Sequence, residues 1–145
     1  MIAENILLTE KLKAGGYSLT HARTVVFEAL SSAPESLTMA ELVECSSAVD
    51  RASVYRTVDV FEKLSIVNRV YVGWKYKLEL SDAFSHHHHH LSCIKCSTVV
   101  LVEESPVIEK AIIGLTRSAG FRPDSHQLEI RGTCSQCQSE GATRK

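Results

Sequence analysis

The chain has 145 residues, of which 44% are hydrophobic and 23% charged, and its formal net charge is −1. This length can hold one ordinary domain or two small ones, and the proportions are those of a globular protein. No apolar run approaches the length of a transmembrane helix, and no cationic segment precedes an apolar stretch, so we expect neither a membrane span nor an export signal. We therefore expect a cytoplasmic protein, in which paired cysteines bind metal more often than they form disulfides.

Helical signals dominate the first half of the chain. Apolar residues at helical spacing predict a first helix over residues 2–14, which a glycine pair ends. Thr20 is a candidate N-cap for a second helix. The pattern Thr38-x-x-Glu41 is a capping box, and it predicts a third helix over residues 39–46.

The fourth predicted helix covers residues 51–65 and has one apolar face. The apolar residues recur at intervals of three or four and should face the core: Val54, Val58, Phe61 and Leu64. The other faces leave four polar side chains accessible: Ser53, Arg56, Thr57 and Lys63. From residue 51 to residue 77, six basic residues face two acidic ones, a local charge of +4. This excess would attract a phosphate backbone, although a solvated basic face explains the charge almost as well.

Two β-rich runs, VNRVYV and YKLEL, follow this helix and meet around Gly73 as a β-hairpin. Helices followed by a hairpin are the outline of a winged helix-turn-helix, in which the fourth helix would enter the major groove of DNA. Residues 81–85 break the pattern. We therefore predict a winged-helix domain over residues 1–82 and a second domain over residues 83–145.

The second domain is predicted to contain a strand, a helix and a further strand. The first strand is STVVLV at 97–102, and the last lies within residues 126–132. Ser105-Pro106 begins the helix, and Gly120 ends it. Five apolar residues should lie on its buried side: Val107, Ile108, Ala111, Ile112 and Leu115. The tail, residues 138–145, is predicted to be disordered.

Four of the five cysteines form two Cys-x2-Cys pairs: Cys93, Cys96, Cys134 and Cys137. Two such pairs close a tetrahedral site without an open position, which predicts a structural Zn²⁺ and brings the strand after the first pair next to the last strand. A redox dithiol is the competing interpretation of any single pair. The fifth cysteine, Cys45, is predicted to be a small apolar residue on a helix.

Five consecutive histidines, residues 86–90, lead into the first cysteine pair. A flexible or engineered polyhistidine stretch is the simplest interpretation, but the position inside the chain and beside Cys93 favours metal binding. If the run is extended, its side chains alternate between two directions. One short strand would then serve two metal sites on opposite sides.

Candidate ligands for each site follow from the metal-binding chemistry of histidine and carboxylate side chains and from their positions on the strands. His88 and His90, with Glu79 on the polar face of the hairpin, would bind a metal between the two domains. On the other side, His126 shares a strand face with Leu128 and Ile130 and should point inward, where a satisfied core histidine is its simplest interpretation. A second, nitrogen-rich site would combine His87, His89, Glu109 and His126.

Several segments together resemble the ferric-uptake-regulator (Fur) family of metal-responsive bacterial transcription regulators. These segments are LTHARTVVFEAL, RASVYRTVDVFEKLSIVNRV, HHHHHLSCIKC and GFRPDSHQLEIRGTCSQC, in the family's order. The resemblance covers nearly the whole chain. It implies an α+β protein, with an N-terminal winged helix-turn-helix followed by a small α/β dimerisation domain that has a four-cysteine zinc site.

The resemblance also implies roles for individual residues. Tyr55 and Arg56 match the family's pair on the recognition helix, so we expect DNA contacts from them and from their neighbours Ser53 and Thr57. The four cysteines match the structural zinc site. Glu79, His88 and His90 match part of a regulatory site between the domains, and His87, Glu109 and His126 match a further site in the dimerisation domain.

The chain departs from the family pattern at several positions. Leu101 stands where a metal-binding carboxylate is expected, and Glu103, on the same strand face, is the candidate substitute. His89 replaces a usual aspartate. Glu35 lies where some members have a histidine ligand, and Ser18 lies where some have a basic residue. These departures bear on which metal is sensed.

We therefore expect a homodimeric, metal-dependent regulator that binds double-stranded operator DNA and has no enzymatic activity. The simplest form is a repressor with Zn²⁺ or Fe²⁺ as corepressor, and Mn²⁺ or Ni²⁺ would also suit imidazole and carboxylate ligands. Peroxide sensing, as in some family members, is an alternative. A metallohydrolase would need an open metal position and a general base, and no HExxH spacing is present. A zinc-stabilised interaction module would leave Tyr55 and Arg56 unexplained.

Overall fold

The computed structural model describes residues 2–72, 74–123 and 125–142, which divide into two compact units. The first unit comprises Met1–Val70 and Lys75–His86, and the second comprises Tyr71–Trp74 and His87–Lys145. The domain boundary expected after residue 82 stays a prediction. Within the described residues, no helix has both the length and the apolar character needed to cross a membrane.

Four helices form most of the first unit, as the sequence predicts. The N-cap threonine of the second helix, Thr20, accepts a hydrogen bond from the backbone N–H of Arg23 at 3.4 Å. The first helix ends where Gly16 adopts a φ of +80°, a backbone conformation that glycine reaches without strain. The helices are α1 (Ile2–Ala14), α2 (His21–Ser32), α3 (Met39–Cys45) and α4 (Arg51–Lys63).

The capping box at the start of α3 is fully formed. The Thr38 hydroxyl oxygen accepts from the backbone N–H of Glu41 at 3.2 Å, and the Glu41 carboxylate accepts from the backbone N–H of Thr38 at 2.7 Å. These two hydrogen bonds satisfy donors that a helix start would otherwise leave unpaired. The Thr38 donors also lower the pKa of Glu41, because they stabilise its charged form.

The core of the first unit is built around α4. Val54, Val58 and Phe61 are fully buried, and Leu64 packs against them, as their spacing predicts. Leu8 and Leu12 of α1 are buried in the same cluster. The predicted amphipathic pattern of α4 is therefore confirmed on its apolar side.

The hairpin consists of β1 (Val67–Val72) and β2 (Lys75–Leu80), which form a two-stranded sheet. Leu78 and Leu80, which alternate with Glu79 along β2, are buried. Leu37 pairs with Leu78 in an isolated antiparallel bridge. A helix-turn-helix followed by a hairpin is thus present, and β2 and most of β1 belong to the first unit.

The second unit is a three-stranded sheet with two helices. Its strands lie in the order β4-β3-β5, with β3 antiparallel to β4 and parallel to β5. The expectation that the first strand after the first cysteine pair lies next to the last strand is wrong, because the histidine-bearing strand β3 lies between them. The elements are β3 (His88–Cys93), β4 (Val99–Glu103), α5 (Pro106–Ser118), β5 (Glu129–Gly132) and α6 (Ser135–Ala142).

The end of the chain also differs from the sequence-based expectation. Residues 138–142 continue α6, which begins at Ser135, where the sequence predicts a disordered tail. Residues 143–145 lie outside the described residues. The strand expected over residues 126–132 is shorter, since β5 begins only at Glu129 and leaves His126 before it.

Helix α5 is not buried on the side that the sequence predicts. Ile108 and Ile112 are half-buried, but Ala111 is exposed, and Val107 and Leu115 are 76% and 72% exposed. The apolar arc of α5 is therefore wider than the surface that one three-stranded sheet covers. Its outer stripe, Val107–Ala111–Leu115, has an i, i+4, i+8 spacing and lies in solvent in a single copy of the chain.

The capping box should contribute measurably to stability. Thr38→Ala removes the hydroxyl that accepts from the Glu41 N–H, so we expect the free energy of unfolding of the first unit to fall by about 1 kcal/mol. Urea unfolding followed by circular dichroism measures this loss. Thr9→Ala is the matched control, because the Thr9 hydroxyl donates to the Asn5 carbonyl within α1 and caps no helix start. Equal losses from the two substitutions would contradict the assigned role of the box.

Candidate metal centres and nucleic-acid interface

The four paired cysteines converge at one end of the sheet in the second unit. Cys93 ends β3, Cys96 lies in the turn before β4, Cys134 precedes α6, and Cys137 lies on α6. Their sulfur atoms all lie within 4.8 Å of one another. Ser97, with a φ of +62°, closes the first turn by donating its N–H to the Cys93 carbonyl at 3.0 Å. Four converging sulfurs are the ligand set of a closed, tetrahedral zinc site.

The electrostatics of this cluster favour a cation. Backbone N–H groups, above all that of Cys134 at 3.4 Å from the Cys93 sulfur, lower the pKa of Cys93 to about 6. The Thr98 side chain lowers the pKa of Cys96. The neighbouring sulfurs of Cys96 and Cys134 raise the pKa of Cys137 to about 12. The lowered pKa values favour the thiolate forms of Cys93 and Cys96, and a bound cation would offset the effect of the neighbouring sulfurs that raises the pKa of Cys137.

A second group of ligands lies at the other end of β3, beside α5. Glu109, on α5, is the central residue. Its carboxylate lies 3.2 Å from His89 Nε2, 3.5 Å from His87 Nε2 and 3.4 Å from His126 Nε2. The Nε2 atoms of His87 and His126 are 3.1 Å apart. The structure therefore brings together the whole predicted second set, with ligand atoms within 4.8 Å of one another.

The chemistry of this second group fits a metal ion. His89 is only 2% exposed, and neither of its ring nitrogens has a hydrogen-bond partner among the described residues. The Oε1 atom of Glu109 is buried and likewise lacks a hydrogen-bond partner there. Buried polar atoms in proteins are nearly always satisfied, and a divalent cation would satisfy all three. Three imidazoles and one carboxylate are ligands that Zn²⁺ and Fe²⁺ both accept.

The opposite face of β3 carries His88 and His90. Their ring centroids are 4.8 Å apart, and His90 is buried. The register of the sheet places Glu103 directly across from His88 and Leu101 across from His90. Glu103 therefore shares the face of the two histidines, although its side chain is exposed. Glu79 lies on β2, in the first unit, and its place in a site with these residues stays a prediction.

The accessible side of α4 presents Tyr55 and Arg56. Tyr55 is 39% exposed, and the Arg51 guanidinium lies over its ring at 5.5 Å and donates to its hydroxyl at 3.2 Å. Arg56 is exposed and donates to the Ser53 hydroxyl oxygen at 3.0 Å. The Ser53 hydroxyl in turn donates to the Asp50 carboxylate at 2.6 Å. Hydrogen bonds along one side of α4 thus orient polar and basic groups toward solvent.

The expectation that all four polar residues of α4 are accessible is wrong for Thr57. Its side chain is only 4% exposed, because it lies next to the core residue Val58 and one turn after Val54. Thr57 therefore belongs to the margin of the core more than to the accessible side. A direct contact with a base edge would require that packing to change.

Some contributors to these sites have no strong signal in the sequence. Arg23 places its guanidinium over the Tyr17 ring, and this pair depends on three-dimensional packing. Thr98 hydrogen-bonds the Cys96 sulfur at 3.2 Å. Only the short spacing Cys96-x-Thr98 could have indicated that contact. Arg51 at i−4 from Tyr55 could have been found from helical spacing.

Comparisons with known proteins agree with this arrangement. Residues 14–131 match the sequence profile of the Ferric uptake regulator family. A ferric uptake regulation protein of Legionella pneumophila is 34% identical, over 90% of this chain and 98% of its own length. That of Campylobacter jejuni is 30% identical, over 100% of this chain and 99% of its own. The solved Vibrio cholerae ferric uptake regulator is 26% identical with a TM-score of 0.64, covering 87% of this chain and 98% of that one.

The cysteine cluster should account for one bound metal ion per chain. Cys134→Ser replaces a thiolate with a hydroxyl, a much weaker ligand for Zn²⁺, so we expect dialysed protein to lose about one metal equivalent per chain and to unfold at a lower temperature. Atomic emission spectrometry and thermal melting measure the two effects. Cys45→Ser is the matched control, since Cys45 lies at the end of α3 and outside the cluster. A Cys134→Ser protein with undiminished metal content would contradict the assignment.

Proposed function

The chain belongs to the Ferric uptake regulator family of metal-responsive transcription regulators, which are not enzymes, and we propose that it is a dimeric repressor with Zn²⁺ or Fe²⁺ as corepressor. One observation carries this proposal: β3 directs His89 toward Glu109 and directs His88 and His90 to its other face. Two sets of exchangeable ligands then share one strand. We place the protein in the cytoplasm, where operator DNA is available and thiols stay reduced.

In this proposal the cysteine cluster binds Zn²⁺ and has a structural role. Four protein sulfurs fill a tetrahedral coordination shell, so no position remains for an exchanging ligand. Binding free energy in such sites becomes folding free energy, because the ligand geometry does not exist in the unfolded chain. The cluster therefore stabilises the second unit and does not report the metal supply.

The regulatory site in this proposal combines His88 and His90 with Glu79, and Glu103 is its fourth ligand. The register that places Glu103 across from His88 supports this choice, because cross-strand partners share a face. Only eight residues lie between Glu79 and His88 in the chain. Ligands from β2 and β3 would restrict the orientation of the two units when they bind the same ion.

The group formed by His87, His89, Glu109 and His126 is the second metal site of the proposal. All four residues belong to the second unit, so this site would fix α5 to β3 within that unit. Its three nitrogen ligands and one oxygen ligand favour later divalent metals over Mn²⁺. We therefore expect Zn²⁺ or Fe²⁺ there, and the cellular supply of each metal decides between them.

Restricting the orientation of the two units requires a defined difference in the free energy of metal binding. A repressor whose DNA-binding arrangement is populated at about 1% without metal and about 99% with metal needs about 5.5 kcal/mol of differential metal affinity. Glu79 would contribute to this difference, because it would bind the ion in only one arrangement. A ligand set confined to one unit would bind equally in both arrangements and shift nothing.

Helix α4 is the recognition helix of this proposal. Tyr55 and Arg56 lie on its accessible side, and Ser53 holds the Arg56 guanidinium. Arginine can bond a guanine edge or a phosphate, and tyrosine can pack on a thymine methyl or a sugar. In a dimer, two such helices would enter successive major grooves about 34 Å apart.

A second copy of the chain is the partner that the apolar surface of the second unit fits. Leu91, Val100 and Ile130 form one row across the sheet, since Leu91 is paired with the other two. They are 39%, 48% and 53% exposed. The outer stripe of α5 adds Val107 and Leu115. An apolar surface of this extent on a small unit indicates an interface, and a symmetric dimer would cover it.

The regulatory role of β3 can be tested with DNA binding as the readout. Zn²⁺, Fe²⁺, Mn²⁺ and Ni²⁺ are titrated separately, at buffered concentrations and with Fe²⁺ kept anaerobic, while affinity for promoter DNA is followed by fluorescence anisotropy. We expect the sensed metal to raise the affinity by up to about 100-fold, the ratio of the populated fractions above. His90→Ala should abolish this gain.

His86→Ala is the control for that experiment, because it also removes an imidazole from the histidine run but lies outside the ligand groups of the described residues. It should leave the metal response intact. If no metal changes the affinity of the unsubstituted protein for DNA, the corepressor mechanism is wrong. If His90→Ala and His86→Ala respond alike, the regulatory site lies elsewhere.

The dimer interface gives an independent prediction. Leu115→Asp places a charge on the outer stripe of α5. Loss of one leucine contact per chain, at about 1.5–3 kcal/mol each, should weaken a symmetric dimer by on the order of 100-fold or more. Sedimentation velocity measures the shift toward monomer. Ile6→Asp, at a 55% exposed position on α1, should leave the dimer intact. A dimer insensitive to Leu115→Asp would exclude this surface.

A further inference from the structure

A groove of about 360 Å³ lies between α2 and α4 in the first unit. Two arginines line it, Arg23 from the first turn of α2 and Arg56 from α4. Three hydroxyl-bearing residues, Thr20, Ser53 and Thr57, also line it. The metal sites lie elsewhere, and the expected contacts of Tyr55 and Arg56 with bases do not explain Arg23.

Arg23 is held in place before any ligand arrives. Its guanidinium lies 5.1 Å from the centroid of the Tyr17 ring and donates one hydrogen bond to the Ser18 carbonyl. The side chain is half-buried. A guanidinium has five N–H donors in a fixed plane, so most of them remain for a further acceptor. Stacking on an aromatic ring also reduces the conformational entropy that such a contact would cost.

Arg56 is oriented in a similar way on the other wall. The Arg56 guanidinium donates a hydrogen bond to the Ser53 hydroxyl oxygen at 3.0 Å. The Ser53 hydroxyl itself donates a hydrogen bond to the Asp50 carboxylate at 2.6 Å. One acidic residue, Asp59, also lines the groove, so its two arginines leave a local charge of +1. The groove therefore attracts a single anionic group more than a cluster of them.

We propose that this groove binds one phosphodiester group of the operator backbone and that Arg23 is the residue that contacts it. This inference rests on the DNA-binding function proposed above. Arginine matches phosphate oxygens with paired donors, and hydroxyl groups commonly add contacts to the same backbone. A phosphate contact beside the recognition helix fixes how deeply and in which register α4 lies in the major groove. Arg23 is therefore a positioning residue that carries no base preference of its own.

The alternative is that Arg23 only packs on Tyr17 and ties α2 to the preceding turn. The two roles differ in their dependence on salt. Each phosphate contact releases condensed counterions and adds about 0.9 to the slope of log affinity against log salt concentration for duplex DNA. A purely structural arginine changes stability but leaves that slope as it was.

The experiment uses the full-length, metal-loaded protein, with a labelled promoter duplex and a scrambled duplex between about 50 and 200 mM salt. In the dimer, Arg23→Gln removes two contacts, so the slope should fall by about 1.8. The affinity advantage of the unsubstituted protein should then shrink by about 12-fold across this fourfold range of salt. The ratio of operator to scrambled affinity should stay within about twofold, because a backbone contact is independent of sequence.

Two further variants keep the outcome interpretable. Arg23→Met removes the charge but retains an aliphatic side chain over Tyr17, so it provides the slope if Arg23→Gln fails to fold. Arg117→Gln, on α5, removes the same charge from the second unit and should leave the slope unchanged. If folded Arg23 variants keep the full salt dependence of DNA affinity while the unsubstituted protein binds DNA, the proposed phosphate contact does not exist. If the unsubstituted protein binds no DNA, the proposed function itself fails.

Discussion

The second unit has almost no apolar interior of its own, and its stability and function depend on this constraint. From His87 onward, the buried side chains of the described residues are His89, His90, Ser92, Cys93 and Cys137. Four of these five are metal-ligating residue types. The first unit differs, because its buried cluster consists of aliphatic and aromatic side chains around α4. In the proposed metal-bound dimer, metal ions and a second chain would supply the stabilisation that a hydrophobic core supplies elsewhere.

The position of β3 turns this constraint into two separate sites. As the central strand, it is hydrogen-bonded on both edges, so its pleat is fixed and successive side chains point to opposite faces. His89 meets Glu109 of α5, whereas His88 and His90 lie on the face that Glu103 shares. A shift of one residue in register would exchange the two sets. The closed turn between Cys93 and β4 holds the register at the end of the strand.

The sequence predicts the first unit well and the second only in part, for physical reasons. Helix starts at Thr20 and Thr38 are encoded within four residues, and the buried stripe of α4 follows from its own periodicity. The order of the strands depends on contacts between residues some forty positions apart, which no local pattern specifies. Thr57 is buried beside Val54 and Val58 at the margin of the core, although its polarity predicts an accessible side chain. The convergence of the four cysteines, and that of Glu109 with three histidines, could be predicted because such groups converge in folded proteins mainly where they bind metal or catalyse reactions.

A unit that depends on metal for its interior cannot use all its metal ions as signals. If the cysteine cluster released its ion at the concentrations being sensed, the second unit would unfold before it could report them. The thiolate set avoids this, because four sulfurs around one ion leave no position for exchange. The proposed regulatory site would include Glu103, which is exposed. In this proposal, an ion bound there would leave while the sheet remains. Separating structural from exchangeable ligands along one short strand thus allows a small unit with little core to respond to metal and stay folded.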